Sequence, residues 1–224
     1  MAGSATPGRR NTDRILGLFD AAGVNATFFT LGWVAERHPA LVRRIVAAGH
    51  ELASHGYWHR LAHEQTPADF ARDVGDARKL LEDVGGVAVQ GYRAPTFSHQ
   101  HAAIRGPSTC LRKQATATVR ASIRYVTICM ACRTRRAFHS TRAAAPWWEI
   151  PMTTVRLAGR NFPCAGGGYF RLLPYALFSA ALRHRGPHRR RTRNVLHPSL
   201  GDRSGSAARA HRTAAGARSA TVSI

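Results

Sequence analysis

An α/β fold with a mostly parallel sheet is predicted for residues 11–98 on three observations. Short β-branched and aromatic runs alternate with longer runs whose apolar residues recur at helical spacing. The order strand, helix, strand, helix, strand is a βαβ pattern, which implies parallel pairing. His55, His59 and Arg93 fall at or just past strand C-terminal ends, where such sheets and barrels gather functional groups.

Each element follows from local chemistry. Asn11-Thr12-Asp13 precedes Ile15, Leu16, Leu18 and Phe19, and Gly23 closes the run, which reads as a capped helix. Residues 26–32, from Ala26 to Gly32, read as a buried strand. His38-Pro39 opens a second helix with Leu41, Val42, Ile45 and Val46 on one face and Pro39 at its first position. Glu51 to Ser54 is the next strand and delivers His55 at its end. Thr66-Pro67-Ala68-Asp69 is a strong helix start, with the stripe Phe70, Val74, Ala77, Leu81 and Val84 behind it and Gly85-Gly86 as the stop. Val87 to Tyr92 is predicted as a third strand, leading into Arg93-Ala94-Pro95.

Charge divides the chain. Residues 1–98 hold 11 basic and 10 acidic side chains, whereas residues 99–224 hold 22 and 2, the acids being Glu149 and Asp202. Folded surfaces mix both signs, so the second half is abnormal for a globular domain. All four cysteines (Cys110, Cys129, Cys132, Cys164) fall there, and without a visible signal peptide they do not suggest a disulfide framework. No apolar run approaches the ~18 residues of a membrane helix. No membrane segment is therefore expected, and the location reads as cytoplasmic or unassigned. Scarce Lys beside abundant Arg, Ala and Gly points to GC-rich coding DNA.

The pair His55 and His59 is the candidate metal site. A divalent ion needs converging neutral nitrogen donors, and a turn at a strand end can supply them, although four-residue His spacing also arises by chance. Ala26-Thr27-Phe28-Phe29, the block Ala48 to His59, and Gly91-Tyr92-Arg93-Ala94-Pro95 resemble the NodB-homology polysaccharide deacetylases, most nearly the branch of exopolysaccharide loci in exosortase-bearing bacteria. The likeness returns at Glu149 to Thr154 and continues through Phe162 to Phe170, to about Leu182. It implies an incomplete distorted (β/α) barrel that removes acetyl groups from N-acetylated polysaccharides. It also implies a divalent, zinc-like metal that polarises the acetyl carbonyl and acidifies a bound water. His55 and His59 match the metal histidines, Arg93 the arginine that orients the base aspartate, and Pro95, Thr96 and Phe97 a substrate-groove wall. The peptide N–H at Thr96 could serve an oxyanion whatever its side chain.

Two parts of that pattern are not found. The aspartates belong to a strand upstream of Asp13, where the chain opens Met1-Ala2-Gly3-Ser4, so an incomplete N-terminus is expected; Asp13 and Asp20 read as helix-end acids. The acid histidine belongs to a His-Pro-Trp-Glu motif, and here His197-Pro198-Ser199-Leu200 lacks the Trp and Glu. Back-translated with GC-rich codons, residues 104–145 read two bases on, and 194–208 read one base on, permit family-like strings, the second containing His-Pro-Trp-Glu. The expected organisation is thus 11–98 as the central deacetylase segment, 99–146 frameshifted, 147–183 family-like again, and 184–224 a frameshifted basic tail, the frameshifted parts poorly ordered. On this reading Cys129, Cys132 and His139 are not a zinc site, and Gly166-Gly167-Gly168 is a loop. Arg185 to Arg193 is then a solvated tail with no specific nucleic-acid partner. The expected activity is metal-dependent hydrolysis of the N-acetyl amide, impaired in this chain. The alternatives are an inactive remnant and a basic nucleic-acid-binding protein.

Overall fold

The computed structural model describes residues 7–96, with 139–140, 147–148, 154–157, 160–163, 174–183, 196–198 and 220–223. The chain divides into two compact units, one of residues 1–28, 47–51 and 152–224, the other of residues 29–46 and 52–151.

In the first unit, α1 (Pro7–Ala21) buries Thr12, Ile15 and Phe19, one face at helical spacing. The helix starts at Pro7 rather than at Asn11–Asp13, so Thr12 is an interior residue and not a cap. Gly23 N–H donates to Asp20 O and Val24 N–H to Phe19 O, the paired bonds that close a helix on a left-handed glycine. Strand β1 (Ala26–Thr30) follows, shorter than the predicted run because Leu31 already precedes a helix.

The second unit begins within β1 and holds α2 (Gly32–Arg37), a helix the sequence reading did not separate from the strand. Then come α3 (Pro39–Ala47), β2 (Glu51–Ser54), a 3-10 turn at Ala62–Glu64, and α4 (Pro67–Gly85). The Thr66 side chain caps α4 by accepting from Asp69 N–H, and Gly86 at φ 67° ends it by returning its N–H to Glu82 O. Ala35, Val42, Leu52, Leu81 and Val89 form the core of this unit, with Val46, Leu80 and Val84 against it. Val87 to Tyr92 is not a full strand. It contributes a single parallel bridge, Ser54 to Tyr92, flanked by Ser54 N–H to Gly91 O and Arg93 N–H to Ser54 O. Val89 N–H donates to the Glu82 carboxylate at 3.0 Å, so a side chain satisfies the amide there instead of a ladder.

In the first unit, β7 (Leu196–Pro198) and β8 (Ala220–Ser223) pair in parallel. Two antiparallel ribbons complete the described strands: β3 (His139–Ser140) with β4 (Trp147–Trp148), and β5 (Thr154–Leu157) with β6 (Arg160–Pro163). Helix α5 spans Tyr175–Arg183. The organisation expected for 99–146 and 184–224 falls mostly outside the described residues. No described helix is long and apolar enough to cross a membrane.

Candidate functional site

His55 sits one residue past β2, at the end where the adjoining backbone also brings Thr30 and Arg93. Its N–H donates to Thr30 O at 3.0 Å, which ties it to the end of β1. Its ring is 5% exposed, and Nδ1 lies 2.7 Å from Arg93 O. A carbonyl only accepts, so Nδ1 carries the proton and Nε2 keeps its lone pair. That arrangement, with the far ring N–H held by a backbone carbonyl, fixes the tautomer a metal requires. His59 meets His55 edge to face, with ring centroids 5.0 Å apart. Burial first, and then the Arg93 cation, hold His55 well below its usual pKa. The more exposed His59 is lowered in the same direction, by partial burial and then Arg93. Both rings are therefore neutral at pH 7, the form that can bind a metal.

The loop between the two histidines is clamped through its backbone. Gly32 N–H and Trp33 N–H, the first amides of α2, donate to Gly56 O (3.0 Å) and Tyr57 O (3.3 Å). From the other side, the Asp73 carboxylate on α4 accepts from Tyr57 N–H (3.0 Å) and Trp58 N–H (3.3 Å). Gly56, at φ 81°, makes room for this: a Cβ there would lie 2.7 Å from Asp73 Oδ2. His59 follows at φ 59°, a left-handed conformation that is uncommon for a non-glycine residue. Thr96 at φ 51° is the other described non-glycine residue in that region, so both fall in segments the sequence singled out. Such strain costs on the order of 1–3 kcal/mol per residue and clusters at functional sites.

Arg93 closes the site from behind. Its guanidinium lies 4.8 Å from the Phe29 ring centroid, and Nη2 is 3.4 Å from His55 Nε2. Nη1 is buried with no hydrogen-bond partner, and burial lowers the group to about 9. A buried guanidinium with an unmet donor is a place prepared for an anion. Pro95 is fully buried and Thr96 exposed, while Phe97 lies outside the described residues. Among the described residues, no group of three or more His, Cys, Asp or Glu side chains could hold a metal. The two imidazoles could supply at most two donors to an ion, which would leave its other positions to water, substrate or another group. His139 and His197 lie in β3 and β7, and Cys129, Cys132, Gly166 to Gly168 and Arg185 to Arg193 fall outside the described residues.

Asp73 and α2 escaped the sequence reading. A charged residue beside the Phe70–Val74 stripe, rather than opposite it, was the available signal for Asp73.

Comparison with known proteins bears on the family resemblance and on the fold. The chain matches the polysaccharide deacetylase family over residues 3–108. A domain of unknown function (DUF3473) matches over residues 121–204. Among curated relatives of the deacetylase segment, a chitooligosaccharide deacetylase of Sinorhizobium fredii is 39% identical over 71 residues, 32% of this chain and 30% of that protein. A peptidoglycan-N-acetylglucosamine deacetylase of Bacillus cereus is 31% identical over 71 residues, 32% of this chain and 33% of that protein. The chain thus spans about a third of the length of the deacetylases it matches. A family 4 carbohydrate esterase of Streptomyces lividans, solved with acetate, superposes with a TM-score of 0.60 at 16% identity over 98% of this chain and 86% of that one. A family 4 pseudoenzyme of Bacillus anthracis superposes at 0.59 with 14% identity, covering 96% and 59%. The fold is the mixed α/β architecture of these two solved structures.

Proposed function

We propose that this chain carries the metal-binding half of a deacetylase that hydrolyses the N-acetyl amide of amino-sugar polymers. The observation that carries the reading is the neutral His55–His59 pair, with His55 Nδ1 fixed on Arg93 O so that Nε2 holds its lone pair, which Arg93 Nη2 approaches at 3.4 Å. A divalent, zinc-like ion held there would polarise an acetyl carbonyl and make a bound water more acidic. The protein's own part is to hold both rings neutral and oriented, and to present Arg93 Nη1 to an anionic group. Pro95, Thr96 and Phe97 are assigned to the groove wall. The substrate class is an N-acetylated polysaccharide, as the names of the curated relatives suggest.

The test is acetate release from N-acetylchitooligosaccharides with stoichiometric Zn²⁺ or Co²⁺, in wild type and His55→Ala. Metal-dependent release lost in His55→Ala supports the reading.

A second reading, an inactive remnant, is favoured by Arg93. Its Nη2 faces the very nitrogen a metal would use, and Nη1 has no partner carboxylate. Metal binding without acetate release would select it. The reading of residues 99–146 and 184–224 as frameshifted translation competes with the domain match over residues 121–204, and the source DNA translated in all three frames decides between them.

A further inference from the structure

We infer that Asp73 is a positioning residue for the histidine pair, acting on the loop between them and touching neither ring. This rests on the proposed metal role of His55 and His59. Three observations support it. The carboxylate accepts from two consecutive amides, Tyr57 and Trp58, which are the two residues immediately before His59. A carboxylate gripping adjacent N–H groups sets the direction of both peptides, and charge-assisted bonds of this kind are the strong ones. Gly56 is the residue that permits the approach, since any side chain there would meet Asp73 Oδ2 at 2.7 Å. Immediately beyond the grip, His59 takes its left-handed φ of 59° and its ring stands edge-on to His55.

The anchor is itself rigid. Asp73 lies in the middle of α4, between the fully buried Phe70 and Ala77 and beside Val74, so the carboxylate is carried on packed helix rather than on loop. Helix α2 holds the same loop through the Gly56 and Tyr57 carbonyls, which accept from its first amides. Asp73 supplies the remaining restraint, on the amides. Without it, the Tyr57 and Trp58 peptides can rotate and His59 loses its approach to His55. A group acting on ligand orientation from outside the ligand set typically changes metal affinity by about 10- to 100-fold.

The experiment uses the full chain as wild type, Asp73→Asn and Asp73→Ala, with His55→Ala as the control for site occupancy. Co²⁺ affinity is measured by calorimetry and visible absorption, and backbone hydrogen exchange is followed across residues 55–60 in metal-free protein. The expected result is Co²⁺ affinity lower by about tenfold or more in both variants, with faster exchange at Tyr57 and Trp58. Asn can accept one amide but presents an N–H to the other, so it is expected to lose much of the grip while keeping the volume. Faster exchange with unchanged Co²⁺ affinity overturns the inference. So does a loss of affinity that merely tracks the unfolded fraction in urea melts of the same samples, and so does unchanged exchange. If wild type itself takes up no Co²⁺, the metal reading has failed and this inference falls with it, an outcome distinct from a defect confined to the Asp73 variants.

Discussion

Replacing His50 with Leu is expected to stabilise the protein near neutral pH. The His50 ring is 7% exposed, stacked on Phe28 at 5.1 Å and edge-on to Phe19 at 5.9 Å, and neither ring nitrogen has a hydrogen-bond partner. Two unmet polar atoms at the low end of their penalty amount to roughly 2 kcal/mol. Losing the aromatic contacts returns roughly 1 kcal/mol. Leu has a similar volume, so the net gain is about 1 kcal/mol, or about 2–4 °C in Tm for a chain of this size. Burial lowers the His50 pKa, with Asp20 opposing the shift. Above the unfolded value of about 6.5 both states are neutral and stability is complete. As the pH falls below it, the unfolded chain takes the proton more readily, and stability declines by up to about 1.4 kcal/mol per pH unit until the folded pKa is reached. Urea midpoints at pH 7.5 and 5.5 test both parts. The variant should have the higher midpoint at pH 7.5 and lose less on acidification, with a residual loss from His55 and His59, which are also lowered. A lower midpoint for the variant at pH 7.5, or equal losses in the two proteins, refutes the reasoning.

Thr66→Ala removes the cap that accepts from Asp69 N–H and is expected to destabilise α4 by about 1 kcal/mol, read as a shifted urea midpoint. Arg93→Met should let His55 titrate closer to its ordinary value, because the guanidinium is the second cause of its depression after burial. A His Cε1–H NMR titration reads this directly, and an unmoved His55 resonance would show that burial alone sets the value.

The legible elements were those with punctuation. Pro39, the Thr66 cap with its Asp69, and the left-handed Gly86 each mark a boundary through a local backbone requirement, and the structure places α3 and α4 accordingly. Helix α2 has no such mark: Leu31 at its N-cap offers no side-chain bond, and the helix is six residues long. Its first amides are instead satisfied by the carbonyls of Gly56 and Tyr57, a long-range bond no local pattern announces. The start of α1 was missed for the opposite reason, since Asn11-Thr12-Asp13 has cap chemistry yet lies inside the helix. The placement of His55 was legible because β2 ends one residue before it, and that of Arg93 because it follows Tyr92, which bridges Ser54. Asp73 was not, because its role depends on α4 packing beside a loop 15 residues earlier.

The loop that joins His55 to His59 is gripped by its peptide groups, so its sequence and its shape are partly uncoupled. Gly56 is bound by the space that Asp73 occupies, and Tyr57 by its ring lying over Gly32. Trp58 is less constrained: the residue is 54% exposed and its ring meets only that of Tyr57 in a ring contact, while its amide is held. That position can therefore change its side chain, at the cost of the Tyr57 ring contact, while any residue but proline keeps the N–H that Asp73 holds. It is a natural handle for retuning what the rim of the site recognises, in evolution or by design, with the donor geometry left in place.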